Sequence, residues 1–345
     1  MKRYDRQIIL SELGIEGQEK LKLAKVLVIG AGGLGCPVLL YLTGAGVGNI
    51  GIVDDDLVEE SNLHRQVLFN MQDLGNSKAE TAVNKLRVLN PYVSFTAYNY
   101  RLKVENAAEL FSGYDLIIDG SDNFPTRYLA NDTCVQLDKP LVFGSIFQFE
   151  GQVSVFNYEH GPDYRTLYPE APSAEDVPNC GESGVIGTLP GVIGSVMANE
   201  AIKVICQFGE VLSGKLLTFN ALDNEVMMFN FGNHELKETE YQKSGHQNVP
   251  SKEVREVDVR QLEKWDEDDV PYQLVDVREE YEFEEFNLGG INIPLHEIST
   301  RSLELRKLPT LVLYCSSGQR SKIAFNLLKG EFKGEIYLLQ RQPVI

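Results

Sequence analysis

The sequence has no C-x-x-C pair, only five cysteines and a single tryptophan in 345 residues. An odd number of cysteines without paired spacing fits neither a disulfide framework nor a tetrathiolate zinc site. Positive charge is also scarce. There are 32 Lys and Arg against 50 Asp and Glu, a formal charge of −18, which argues against a nucleic-acid backbone or an anionic membrane as main partner. The opening MKRYDRQIIL is charged, and the apolar stretches read as too short for a bilayer. No signal peptide, no membrane association and a cytoplasmic location are therefore expected. Repeats and low-complexity tracts are missing too. With 43% hydrophobic and 24% charged residues, the composition is that of an ordinary globular chain of about two domains.

What is present is an alternation of short β-branched runs with amphipathic stretches. From KVLVIG at Lys25 through NIGIVD and YDLIIDG to PLVFGS, strands alternate with helical segments such as CPVLLYLTGAG and SKAETAVNKLRVL. Repeated βα units predict a parallel sheet with helices on both faces. EGQVSVFNY, GKLLTFNA and NEVMMFNF alternate with period two and predict later antiparallel strands, which makes the sheet mixed. Residues 158–188 read as a long loop, and PGVIGSVMANEAIKVICQFG as a buried helix with Pro at its start and Gly at its end. The polar stretch from His234 marks a linker. The expected domains are residues 1–236, a linker at 237–252, and a smaller α/β unit at 253–345.

Gly30, Gly32, Gly33 and Gly35 form G-x-G-x-x-G between the strand KVLVI and the helix CPVLLYL. Such glycines let the backbone approach a phosphate chain at a helix N-terminus. Asp54 ends the next strand, 24 residues after Gly30, near the spacing of an acid that binds ribose hydroxyls. These features fit NAD and ATP equally. Beyond them, Arg65 and Lys78 are cations placed to hold outer phosphates, and Asp122 is a suitable Mg²⁺ ligand. In the bland alternatives Arg65 pairs with a surface acid and Asp122 caps the helix at Phe124.

RYDRQIIL at 3–10, GxGGLG at 30–35, DDDxVxxSNLxRQ at 54–66, SK at 77–78 and SDN at 121–123 together resemble the MoeB/ThiF family, prokaryotic relatives of ubiquitin-activating enzymes. The resemblance implies a Rossmann-like fold with a mixed sheet. It assigns Asp54 to ribose, Asn62, Arg65 and Lys78 to phosphates, and Asp122, within the motif it shares with Asn123, to Mg²⁺. It also implies a homodimer in which Arg6 reaches the partner's ATP site. The implied activity is adenylation of the C-terminal Gly-Gly carboxylate of a ubiquitin-like sulfur carrier of the MoaD/ThiS kind. Cys180 falls where the family has a loop cysteine able to attack the activated carrier.

The loop Cys315, Ser316, Ser317, Gly318, Gln319, Arg320, Ser321 follows the strand TLVLY and precedes a helix. Backbone N–H groups of such a loop, with Arg320 nearby, favour a thiolate at Cys315. With LVDVREEYEFEEFNLGGINIPL it resembles a single-domain rhodanese over roughly residues 253 to 340, which implies a persulfide on Cys315. Asn287 replaces the histidine common in that family, and Asp276 with Arg278 reads as a structural ion pair. Cys36, Cys134 and Cys206 read as buried small hydrophobes.

The expected enzyme is an adenylyltransferase fused to a sulfurtransferase. The sulfur comes from a cysteine desulfurase or thiosulfate, and the product feeds a molybdopterin, thiamin or tRNA-thiolation type of pathway. In the alternative, a pathway-specific carrier is adenylated while the rhodanese unit serves another acceptor. A silent binding module and an NAD-dependent oxidoreductase are the remaining rivals.

One departure from the first family is plain. Where its members carry the first of two zinc-holding C-x-x-C pairs, this chain has Asp163-Tyr164-Arg165-Thr166, and no cysteine stands between Cys206 and Cys315. Four soft ligands are needed for a closed structural site. Elemental analysis of the purified protein is therefore expected to find no stoichiometric zinc; one tightly held ion per chain would overturn this.

Overall fold

The computed structural model describes residues 2–169, 184–231 and 255–340, apart from 269, 299–300, 302–304, 306–308, 316–317 and 330–331. Two compact units divide the chain at Met1–Asn233 and His234–Ile345. Cys180, Ser316, Ser317 and the linker lie outside the described residues.

The first unit is built on an eight-stranded sheet of order β3-β2-β1-β4-β5-β6-β7-β8. Its strands are β1 (Lys25–Ile29), β2 (Asn49–Val53), β3 (Ser94–Tyr98), β4 (Leu116–Asp119), β5 (Leu141–Phe147), β6 (Glu150–Phe156), β7 (Lys215–Asn220) and β8 (Glu225–Asn230). β1 to β5 pair in parallel, and β6, β7 and β8 join antiparallel. The reason is legible in side chains. VLVI and the LII of β4 are apolar throughout, and both strands are buried along these runs, as strands covered on both faces must be. β8 instead alternates and stays mostly exposed. Helices Gly35–Ala45, Lys78–Leu89, Val104–Ser112 and Phe124–Gln136 make the crossovers.

Helix Leu189–Cys206 packs against β5 and β6. A Cβ on Gly144 would lie 2.2 Å from Met197 Sδ, and one on Gly151 2.3 Å from Ile193 Cγ1, so both glycines admit the helix. Among the described residues this is the helix long and apolar enough to cross a membrane, contrary to the reading of all apolar stretches as too short. Its length serves the core instead: Leu189, Ile193, Met197 and Ala201 are fully buried. Its end differs from expectation too. Gln207, with φ of 60°, takes the left-handed cap position assigned to the nearby glycine. Cys36, Cys134 and Cys206 are buried as expected, and burial pushes the Cys36 thiol up to about 12.

The segment Asp163–Thr166 is tied down without cysteines. Asp163 Oδ1 accepts from Thr166 N–H at 2.9 Å and from its hydroxyl at 2.7 Å. Arg165 grips Asp132 through Nε and Nη2, each at 2.7 Å. Between them the Tyr164 ring is buried against Tyr128, Phe143, Phe156 and Tyr168, with centroids 4.9 to 5.6 Å apart. Polar staples here hold an aromatic plug in place.

The second unit is a five-stranded parallel sheet of order β11-β10-β12-β13-β9. Its strands are β9 (Arg255–Val257), β10 (Gln273–Asp276), β11 (Ile291–Asn292), β12 (Thr310–Tyr314) and β13 (Glu335–Leu339). The central β12 is apolar and buried from Leu311 to Tyr314, so its carboxyl end delivers Cys315 to the edge of the core.

Tyr164→Ala removes the central side chain of the aromatic plug and should cost about 3 to 5 kcal/mol. The loss is expected in the first unit's unfolding transition, followed by urea titration of the full chain.

Candidate functional site

A cleft of about 510 Å³ opens at the carboxyl ends of β1, β2 and β4, where open α/β sheets bind ligands. Gly30 turns the chain with φ of +86°, and a Cβ on Gly35 would lie 1.9 Å from Gly30 O. Only glycine at Gly35 lets the following helix start against the strand it leaves. Gly32 and Gly33 line the cleft directly.

Asp54 directly follows β2 and faces the glycine turn. Its Oδ2 accepts from Ala31 N–H at 2.7 Å and its Oδ1 from Asp56 N–H at 2.9 Å. Burial nevertheless pushes its carboxyl above the usual range. The short bridge Leu57 to Ser77 brings the strand end to the next helix, whose first residue is Lys78. Ser77 caps that helix by accepting from Glu80 N–H at 3.3 Å. Lys78 Nζ is buried and paired with Asp56 Oδ2 at 2.8 Å. Arg65 donates to Asn62 Oδ1 at 2.7 Å and to Ser61 O at 3.3 Å. That side chain is held within its own motif, so the bland pairing with a surface acid is not the geometry described here.

The β4 end shows a second correction. Asn123, not Asp122, caps helix Phe124–Gln136, accepting from Thr126 N–H at 3.0 Å. Asp122 borders the cleft beside it, 3.5 Å from Asn123 Nδ2. The fully buried Asp119 shapes the turn by accepting from Ser121 N–H at 2.9 Å.

Arg6 is exposed on the turn Asp5–Ile8 and is not among the residues lining this cleft. Its neighbours fix the segment. Tyr4 Oη accepts from the buried Asn90 Nδ2 at 2.8 Å, and Gln7 Nε2 donates to Gln18 Oε1 at 2.8 Å.

Sequence reasoning missed several lining residues, among them Gln66, Tyr100, Phe147 and Arg127. Arg127 is buried, its guanidinium 5.2 Å from the Phe124 ring centre and 5.6 Å from that of Phe143. A signal existed: Arg127 follows the cap Asn123 by one helical turn, which returns its side chain to the strand end. Asp56 was also within view, inside the run of three aspartates.

In the second unit, Cys315 Sγ accepts from Gly318 N–H at 3.1 Å and from Ser321 N–H at 3.4 Å. Gly318 has φ of +79°, which aims its N–H back at the sulfur, and Gln319 opens helix Gln319–Leu328. These donors match the expected nest. Arg320 does not lend a bare charge, contrary to expectation: its Nη1 and Nη2 meet Glu282 Oε2 and Oε1 at 2.5 and 2.9 Å. Asp276 and Arg278 form the expected structural pair, with Nη2 to Oδ2 at 2.6 Å.

Comparison with known proteins places these two sites in context. Residues 4–240 match the ThiF family and residues 258–341 the rhodanese-like domain. A sulfur carrier protein adenylyltransferase of Thermus thermophilus is 56% identical over 226 residues, covering 64% of this chain and 83% of its own. Over nearly the whole length, a probable adenylyltransferase/sulfurtransferase, MoeZ of Mycobacterium tuberculosis, is 42% identical, covering 95% of this chain and 88% of its own. The adenylyltransferase and sulfurtransferase MOCS3 of Aedes aegypti is 41% identical and covers 96% and 82%. Among solved structures, E. coli MccB with ATP shares the fold at a TM-score of 0.60 and 23% identity, over 68% of this chain and 73% of that one. The chain belongs to the ThiF family and carries a rhodanese-like domain after it.

Proposed function

We propose that this enzyme adenylates the C-terminal Gly-Gly carboxylate of a ubiquitin-like sulfur carrier and then sulfurates it. What carries the reading is one chain that joins a cleft framed by Asp54, Arg65, Lys78 and Asp122 to a thiol held by two backbone donors.

In the first half-reaction a carrier carboxylate oxygen attacks the α-phosphorus of ATP, the bond to the β-phosphate breaks, and pyrophosphate leaves. Asp54 would bind ribose hydroxyls, and the glycine turn leaves room for the phosphate chain. Lys78 and Arg65 are cations held in place before the reaction, so charge developing on the phosphates meets fixed partners. Asp122 offers a hard oxygen ligand that fits magnesium, which when bound screens phosphate charge. Arg6, absent from the cleft of its own protomer, is assigned to the partner's cleft in a homodimer.

In the second half-reaction the outer sulfur of a Cys315 persulfide attacks the acyl carbonyl and AMP leaves with the bonding pair. The carrier is now joined to Cys315 through an acyl disulfide. Attack by Cys180 thiolate on the Cys315 sulfur releases the carrier thiocarboxylate and leaves a Cys180–Cys315 disulfide, which a cellular dithiol reduces. Gly318 and Ser321 N–H groups stabilise the Cys315 thiolate each time it re-forms.

Two outcomes test this. Lys78→Ala should lower carrier-dependent ATP–pyrophosphate exchange by about 100-fold or more while leaving persulfide formation on Cys315 unchanged. Cys315→Ala should keep exchange within about twofold and abolish thiocarboxylate formation, read by mass spectrometry of the carrier. Undiminished thiocarboxylate in Cys315→Ala would favour a rhodanese unit that serves another acceptor.

A further inference from the structure

Glu282 takes no part in the mechanism described above. It stands on the short helix Glu280–Glu285, 38 residues before the loop arginine it grips. Both its oxygens are engaged by Arg320, and Oε2 also accepts from Glu279 N–H at 3.0 Å. The pair is largely buried, with side-chain exposures of 14% for Arg320 and 19% for Glu282. Burial acts to raise the Glu282 carboxyl, but Arg320, with the Glu279 N–H and Arg278 adding to it, holds that carboxyl below its usual range. Arg278, whose guanidinium lies 5.6 Å from the ring centre of Tyr314, just before Cys315, is likewise taken by Asp276. Arg320 on the loop and Arg278 beside Tyr314 are thus each paired with a carboxylate, while Glu280 and Glu284 remain exposed on the same short helix as Glu282.

This matters for the step that loads the sulfur. With thiosulfate, Cys315 thiolate attacks the outer sulfur, the sulfur–sulfur bond breaks, and sulfite dianion leaves with the electron pair. A dianion and a thiolate must then meet, and a bare guanidinium on the loop would offset that repulsion. With a persulfide donor, R–S–SH, the attack transfers one sulfur and releases a single thiolate, so far less negative charge gathers.

We propose that Glu282 is a specificity-determining residue of the sulfur-loading step: by occupying Arg320 it denies the loop's charge to anionic donors and favours persulfides. The proposal rests on Cys315 being the sulfur-carrying thiol. Glu282→Gln keeps hydrogen-bond acceptance and removes one negative charge. It should raise kcat/KM for thiosulfate by roughly tenfold, mainly through KM, and leave loading from a neutral alkyl hydropersulfide within about twofold. Adding Arg320→Gln to that variant should remove the gain, because the unmasked cation causes it.

The wild-type full chain gives an independent reading that needs no variant. Its thiosulfate turnover should rise with ionic strength, as screened repulsion requires. A fall with salt, or no gain in a folded Glu282→Gln protein, overturns the proposal. If neither donor adds a sulfur atom to wild-type Cys315 by mass spectrometry, the sulfurtransferase reading itself fails, and the proposal with it.

Discussion

The first unit depends on a contact between three glycines. A Cβ on Gly30 would lie 3.1 Å from the Gly120 carbonyl oxygen, one on Gly120 3.3 Å from the Gly35 nitrogen, and one on Gly35 1.9 Å from the Gly30 carbonyl oxygen. The ends of β1 and β4 and the start of helix Gly35–Ala45 meet there with no side chain between them. Two of the groups assigned to the nucleotide sit beside that junction. Asp54 bonds into the turn itself through Ala31, and Asp122 leaves β4 two residues past Gly120. A methyl group at Gly35 would separate the helix from its strand and shift the whole cleft.

The second unit applies the same economy to a thiol. A buried central strand carries Cys315 to its end, and a glycine with positive φ folds the chain back so that two N–H groups meet the sulfur. The two units share an architectural rule: reactive groups are placed by backbone at the carboxyl ends of parallel strands, and side-chain ion pairs then set the charge around them. Lys78 with Asp56 does this in one unit and Arg320 with Glu282 in the other.

How much of this was legible in the sequence follows from what kind of information each feature uses. The parallel strands were readable because VLVI and LII are apolar at consecutive positions, and the glycine turn because only glycine tolerates its contacts. Asp54, Asn62, Arg65 and Lys78 lie near one another along the chain, so a local motif captured them. Partnerships between distant segments were not legible. Nothing in the order of residues announces that Glu282 meets Arg320, or that Asn90 reaches back to Tyr4. The capping role went to Asn123 rather than Asp122 because only one side chain can meet the Thr126 N–H. Helix Leu189–Cys206 outran the reading of short apolar runs because small residues interrupt it without ending its helical period.

The pairing of Lys78 with Asp56 has a consequence for turnover. The lysine is almost wholly buried, yet its partner carboxylate is 67% exposed. In the role proposed for Lys78, an arriving phosphate would exchange places with a hydrated carboxylate instead of meeting a naked ammonium, and the exchange would run downhill by only the difference between two similar ion pairs. A grip of that kind would let go readily: with Asp56 at hand as the resident counter-ion, the buried cation would not have to stand unpaired when product leaves.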